Sequence, residues 1–381
     1  MKKLTAGVIG TGFIGPAHVE AIRRTALGSV AALADINDEV AQQKADELGI
    51  PTAYGDYKAL LADDSIDIVH ICTPNHLHFA MAKEALLAGK HVVCEKPLAM
   101  NSAEANELVN IANEKQLVNA IHFNLRFYPI MHQAKAMIES GELGDIIAVN
   151  GSYQQDWLLY DTDYNWRLEP RYSGESRAIA DIGSHWFDAV EFITGLSVHK
   201  VCADFATFHP VRKKPLKAIE TYSGKLLKPQ DYEAVGINTE DYASVLIRFS
   251  GGAHGSVTVS QVAAGRKNRC YIEVYGTKKS LVIDTEDCNS LWIGNRDEAN
   301  QVLMKDPALL SAAARAICSY PGGHSEGFPD CSKQMFKKIY AYILAGGKGT
   351  VEFPTFADGE RELVICERIC ESAREEAWKE L

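Results

Sequence analysis

The chain has 381 residues, 46% hydrophobic and 23% charged, a globular composition long enough for two domains and unlike a disordered or low-complexity scaffold. Fifty acidic against 39 basic residues give a net charge of -11, which repels phosphate backbones and anionic lipid, so neither nucleic acid nor membrane is an expected partner. Glycines interrupt the apolar run after the basic start, no stretch reaches membrane-span length, and the nine cysteines contain no Cys-x-x-Cys pair; reduced thiols and a cytoplasmic location are expected.

In chain order, short apolar runs at 6–9, 30–34, 68–72, 91–94 and 118–121 read as strands, and the Ala-, Leu- and Glu-rich stretches 41–48, 80–88 and 103–114 read as helices. The alternation predicts an α/β fold over residues 1–125, a doubly wound parallel sheet of the Rossmann type. Gly10-Thr11-Gly12-Phe13-Ile14-Gly15 follows the first strand and opens into a helix with Pro16 in its first turn. In that context Gly10 makes the tight turn, Gly12 admits a pyrophosphate against the backbone and Gly15 packs helix on strand, while the helix N-terminus stabilises the anion. Asp35 ends the second strand twenty residues after Gly15, where a carboxylate accepts hydrogen bonds from a ribose and repels a 2'-phosphate. The expected cofactor of this first domain is NAD, with NADP less favoured; a glycine turn beside a surface aspartate is the bland counterpart.

Thr73-Pro74-Asn75 and Glu95-Lys96-Pro97 follow the next two strands, at the carboxyl ends where such sheets bind ligands. At this point Lys96 reads equally as a proton-handling lysine or as a surface partner of Glu95.

From about residue 147 the pattern changes to β-branched and aromatic runs at 147–153, 243–249, 255–261 and 271–275, with turns at 250–253 and 276–279. Residues 126–381 are therefore expected to form an α+β domain for substrate binding and oligomerisation, with a large, mostly antiparallel open sheet and helices near 182–194, 332–345 and 359–379. The basic run Arg212-Lys213-Lys214 with Lys217 reads as a solvated loop. In Asp181-Ile182-Gly183-Ser184-His185-Trp186-Phe187-Asp188, a helix would set Asp181 and His185 on one face, letting an acid orient an imidazole that takes a hydroxyl proton; a capping aspartate and a packed histidine are the alternative.

In this order, the glycine turn, Thr73-Pro74-Asn75 with His78, Glu95-Lys96-Pro97 and Asp181-x-Gly-x-His185-x-x-Asp188 together resemble the Gfo/Idh/MocA oxidoreductases, the family of glucose-fructose oxidoreductase and inositol dehydrogenase. The runs 238–243 and 276–281 resemble the strands and turn of that family's second domain. The resemblance implies NAD(P)-dependent hydride transfer at a hydroxyl of a sugar, sugar derivative or cyclitol. It implies Lys96, His185 and Asp181 as catalytic residues, with His185 the acid/base, Lys96 its electrostatic partner and Asp181 an orienter. It also implies a cis Lys96–Pro97 peptide. Phe13, Ile14, Thr73, Pro74, Asn75, His78, Glu95, Trp166 and Arg167 join the three glycines, Asp35 and Lys96 on the cofactor side. Arg126, Tyr153, Asp156, Trp157 and His324 join Lys96, Asp181 and His185 on the substrate side.

The chain departs from the family pattern at residues 173–178, where Ser176 or Arg177 is expected in the pocket wall, and the loop 322–330 offers Glu326 beside His324, or a plain surface turn. His76, His78 and His122 show no metal-binding spacing, so no metal is expected. A homodimer or homotetramer joined through sheet faces is the expected assembly. An NAD-sensing protein without chemistry, and a glycoside-processing enzyme using transient oxidation, are the competing readings.

Overall fold

A computed structural model describes residues 3–216 and 231–381, so Lys217 of the basic run lies outside the described residues. The chain divides into two compact units, the first made of Met1–Phe127 with Phe328–Leu363 and the second of Tyr128–Gly327 with Val364–Leu381.

In the first unit, β1 (Leu4–Ile9), α1 (Ile14–Thr25), β2 (Gly28–Ala34), α2 (Asp38–Leu48), β3 (Thr52–Tyr54), α3 (Tyr57–Leu61), β4 (Ile68–Ile71), α4 (Asn75–Leu87), β5 (His91–Cys94), α5 (Ser102–Lys115) and β6 (Asn119–Ile121) alternate as expected. The strands lie in the order β3-β2-β1-β4-β5-β6 and every neighbouring pair is parallel. The order reverses between β1 and β4, the crevice where ligands bind in such sheets. All four β4 residues and the last three of β5 are buried, as a sheet covered on both faces requires. Asn37 and Asn101 cap α2 and α5 by accepting from backbone N–H groups three residues on. β3 and α3 escape sequence reading because elements this short carry no usable period.

The second unit holds α6 (Pro129–Glu139), β7 (Ile146–Gln154), α7 (Pro170–Ser173), α8 (Ser184–Thr194), β8 (Val198–Ala206), β9 (Val211–Pro215), β10 (Tyr232–Gly236), β11 (Tyr242–Phe249), β12 (His254–Ser260), β13 (Arg269–Gly276), β14 (Ser280–Asp284), β15 (Ser290–Gly294), β16 (Gln301–Met304) and α9 (Ala312–Ala316). Nine strands, with β17 (Lys379–Glu380) at one edge, make one sheet in the order β16-β15-β14-β13-β7-β12-β11-β8-β17, antiparallel except where β7 meets β12. The period of two is plain: Ala243, Val245, Ile247, Cys270, Ile272, Val274, Leu281 and Ile283 are buried, and the residues between them face away. Gly151 on β7 leaves room for Trp186 of α8, whose indole Nε1 donates to the Tyr271 carbonyl at 3.0 Å; a Cβ there would lie 2.5 Å from that nitrogen.

Two features differ from expectation. α10 (Phe328–Leu344) and the first turns of α11 (Phe356–Glu375) belong to the first unit, where Phe336, Tyr340 and Phe356 are fully buried. Helical periodicity reports that a face is buried but not against which sheet, so the span 126–381 reads as continuous in sequence. Arg212, expected in a solvated loop, is instead a fully buried residue of β9, paired with β10. Its guanidinium donates to Asp241 Oδ1 at 2.8 Å and to the carbonyls of Leu158 and Tyr160 at 2.9 and 2.8 Å.

Candidate active site

In the first unit the glycine turn joins β1 to α1. Gly10 has a φ of 88°, and its N–H bonds the Ala34 carbonyl at 2.9 Å. A Cβ on Gly15 would lie 2.3 Å from the Gly10 carbonyl, so only glycine permits that approach of helix to turn. A Cβ on Gly12 would meet nothing within 4 Å, which marks open space on the side a ligand needs. No side chain caps the start of α1. Asp35, at the end of β2, accepts from the Thr11 N–H at 2.8 Å and from the Thr11 hydroxyl. Phe13 is 70% exposed beside this turn and Ile14 is half-buried. Thr73 and Pro74 lead into α4, which starts at Asn75. An uncapped helix end supplies backbone donors, the glycine turn supplies space and the Asp35 carboxylate supplies an acceptor for ribose hydroxyls, so these residues fit NAD.

Two of the residues expected on the cofactor side are interior. His78 is fully buried, its ring nitrogens 2.7 Å from the carbonyls of Thr73 and Pro97, so it ties the two strand-end loops together rather than facing a ligand. Burial holds its pKa below the usual histidine value, although both carbonyl contacts oppose this. Glu95 is buried as well and faces histidines, not solvent, which removes the surface pair with Lys96 considered above. Lys96 itself is half-buried and the Lys96–Pro97 peptide is cis. Arg126 pairs with Asp358 at 2.7 Å. Burial pushes Asp358 up, but Arg126 and the Thr355 donors outweigh it and leave the carboxyl below its usual range.

In the second unit, residues 179–183 form a π turn that feeds α8. Asp181 thus lies in the wider turn and His185 in the regular helix that follows it. Asp181 accepts from Arg167 Nε at 3.3 Å and from Gln261 Nε2 at 2.8 Å. Arg167 lies over the Trp166 ring, 4.4 Å from its centroid. His185 is 9% exposed, and its ring stands 6.2 Å from that of buried Tyr153 on β7. Asp181, Arg167, Trp166 and Gln261 thus form one polar group, and His185 and Tyr153 an adjoining pair. Gln261 was not singled out in the sequence, because it meets Asp181 from 80 residues away along the chain.

The remaining candidates are more dispersed. Asp156 pairs with Lys267 Nζ at 2.6 Å, while Trp157 donates to Gln155 and packs with Leu158, Leu168 and Ile237. His324 is exposed on its loop. Ser176 and Arg177 do not form a pocket wall: both are buried, Ser176 donating to Glu240 at 2.7 Å and Arg177 to Asp241. Glu326 is likewise internal, joined to buried Lys305 at 2.8 Å. In all three cases a buried polar or charged group is satisfied by a fixed partner in the interior.

Such a strand-turn-helix on a 3-2-1-4-5-6 parallel sheet defines a Rossmann-type nucleotide-binding protein. Residues 4–123 match the family described as "Oxidoreductase family, NAD-binding Rossmann fold" and residues 131–282 match the "GFO/IDH/MocA C-terminal domain". The chain belongs to the Gfo/Idh/MocA oxidoreductase family. It is 30% identical to levoglucosan dehydrogenase of Pseudarthrobacter phenanthrenivorans over 99% of this chain and 98% of the relative. The solved complex of levoglucosan dehydrogenase with NADH and levoglucosan has a TM-score of 0.88 to this structure at 30% identity, covering 100% of this chain and 99% of that one. An inositol dehydrogenase homologue from Azotobacter vinelandii complexed with NAD+ has a TM-score of 0.88 at 26% identity, covering 100% and 98% of the two chains.

Proposed function

We propose that the protein is an NAD-dependent dehydrogenase acting on a ring hydroxyl of a neutral sugar, anhydrosugar or cyclitol. The observation that carries this reading is likeness over the whole chain to a dehydrogenase bound to NADH and its sugar, and it is supported by the ordered motifs of the sequence that contain Lys96, Asp181 and His185. Bound NAD supplies the hydride acceptor. His185 takes the proton of the substrate hydroxyl. Lys96 donates a hydrogen bond to the same oxygen and stabilises the negative charge that develops on it. Asp181, oriented by Arg167 and Gln261, accepts from a neighbouring hydroxyl or from the imidazole, and Arg167 and Trp166 would hold the nicotinamide end of the cofactor. Tyr153 and Trp157 offer apolar faces to the sugar ring, and Arg126, Asp156 and His324 polar groups to its hydroxyls.

Asp35 supports NAD over NADP, because the 2'-phosphate would meet its carboxylate. The nine cysteines, scattered and without a Cys-x-x-Cys pair, support a reducing, cytoplasmic setting. Among the described residues no helix is long and apolar enough to cross a membrane. The experiment is NADH absorbance when the purified protein and NAD meet levoglucosan, inositols, aldoses and glycosides in turn. NADH production with at least one neutral polyol is expected. Tight NAD binding with no turnover would favour a sensor, and product without net NADH would favour transient oxidation.

A further inference from the structure

Glu95 carries a polar network that the proposed chemistry does not use. Its Oε1 lies 2.9 Å from His18 Nε2 on α1 and 2.5 Å from His122 Nδ1 after β6, and its Oε2 accepts from the Lys96 backbone N–H at 3.3 Å. Beyond His18, the Nδ1 atoms of His18 and His70 are 3.0 Å apart, and His70 Nε2 is 3.0 Å from the Tyr340 hydroxyl on α10. Beyond His122, its Nε2 is 3.0 Å from the Ser332 hydroxyl, which accepts from Asn124 Nδ2 at 3.2 Å. All seven side chains are buried, and all belong to the first unit.

Each contact needs one proton, and the inventory fixes where the protons sit. Burial pushes the Tyr340 phenol up, so it stays protonated and donates to His70 Nε2. Burial also holds His70 well below the usual histidine value and His18 down to about 4, so both rings are neutral. His70 then carries its hydrogen on Nδ1 and donates to His18, and His18 carries its hydrogen on Nε2 and donates to Glu95. On the other arm Asn124 donates to Ser332, which contacts His122 Nε2, and His122 Nδ1 donates to Glu95. Both arms end on one carboxylate. Burial would raise Glu95, but His122 and His18 outweigh it and hold the carboxyl well below its usual range.

We propose that Glu95 is a positioning residue: as the common acceptor of two buried hydrogen-bond arms, it fixes the Lys96 peptide and thereby the direction from which the lysine ammonium meets the substrate hydroxyl. The inference rests on the dehydrogenase reading for the role of Lys96. A metal ion does not fit the same atoms, because ligand bonds of about 2.1 Å would spread them to about 3.4 Å, against the 2.5 and 2.9 Å found. A proton relay to solvent does not fit either, since the arms end at Tyr340 and Asn124, 0% and 1% exposed. The other titratable groups facing Glu95 are Cys72, Cys94, His78 and Lys96. Burial raises both thiols well above the usual cysteine value and lowers His78, so none of these three changes charge near neutral pH.

Glutamine cannot replace Glu95, because both carboxylate oxygens accept and an amide has one acceptor. Glu95→Gln therefore sets an N–H against either the imidazoles or the Lys96 amide. We expect it to lower kcat about tenfold or more, to leave the NADH Kd within about twofold, and to speed hydrogen exchange of the Lys96 amide about tenfold or more. Isotope-labelled histidine NMR of the whole unsubstituted chain, between about pH 6 and 8, should show neutral His18 with its hydrogen on Nε2 and neutral His70 with its hydrogen on Nδ1. Charged rings or the opposite tautomers overturn the network, as does a folded Glu95→Gln protein with unchanged kcat and unchanged Lys96 exchange. If that variant does not fold, the tautomers decide. If the unsubstituted chain oxidises no sugar, the dehydrogenase reading fails on its own, while tautomers and amide exchange still test the hold on Lys96.

Discussion

At the scale of single residues, the chemistry assigned to His185 and Lys96 is separable from cofactor binding, since the glycine turn and Asp35 lie on other segments. His185→Ala and Lys96→Ala are each expected to cut turnover about a hundredfold or more, the usual worth of a positioned acid/base group. NADH binding, followed by fluorescence titration, should stay within about twofold of the parent. Near-normal turnover in either variant would remove that residue from the mechanism. The glycine turn, Asp35, Lys96, Asp181 and His185 were all legible in the sequence because short motifs carry them. Gln261 and the partners of Glu95 were not, because His18, His70, His122, Ser332 and Tyr340 come from segments far apart in the chain.

At the scale of elements, β9 is held by what Arg212 reaches. Its guanidinium shares Asp241 with Arg177 and bonds carbonyls of the segment that leads from Trp157. Burial pushes Asp241 up, but Arg177, the His209 N–H and Arg212 outweigh it and keep the carboxyl below its usual range. Removing one partner of such a pair strands the rest, at a cost on the order of 3 kcal/mol. Arg212→Ala should lower the urea midpoint accordingly, and Arg212→Lys should not restore it, since an ammonium lacks the planar fork that serves Asp241 and the carbonyls together. An unchanged midpoint would show that β9 is not held by Arg212. A run of three basic residues read as solvated because sequence shows charge density but not the carboxylate that meets it.

At the scale of the molecule, stability should fall with acid in two stages. His18 has its folded pKa lowered from 6.5 to about 4, so the unfolded chain binds more protons between those values. Its contribution, on the order of 3 kcal/mol by linkage, is complete above the unfolded value and is lost as pH drops toward 4. Glu95, Asp241 and Asp358 have folded pKa values below their ordinary ones, so their contribution is present above the ordinary carboxylate range and is lost below it. Thermal unfolding temperatures are expected to decline from about pH 6.5 downward and to decline further below about pH 4; a flat profile between those values would contradict the neutral, buried His18. Assembly belongs to the same scale. The outward side of the large sheet exposes Leu246 at 54% on β11, with half-buried Tyr271 and Tyr275 on β13, two strands intervening, apolar surface that favours a homodimer or homotetramer. Light scattering should return a multiple of 41.8 kDa, and a strict monomer would refute it.

The sequence by itself determined the alternating α/β pattern, the glycine turn with its carboxylate, and the ordered series of motifs that carries the family. These are local: periodicity and short spacing express which face is buried and which turn is tight. Tertiary structure alone decided that residues 328–363 return to the first unit, that Asp181 sits in a π turn against Arg167 and Gln261, and that Glu95 faces histidines instead of solvent. In each case the deciding term is burial of a polar or apolar group against a partner distant in sequence, and one-dimensional spacing holds no record of that distance.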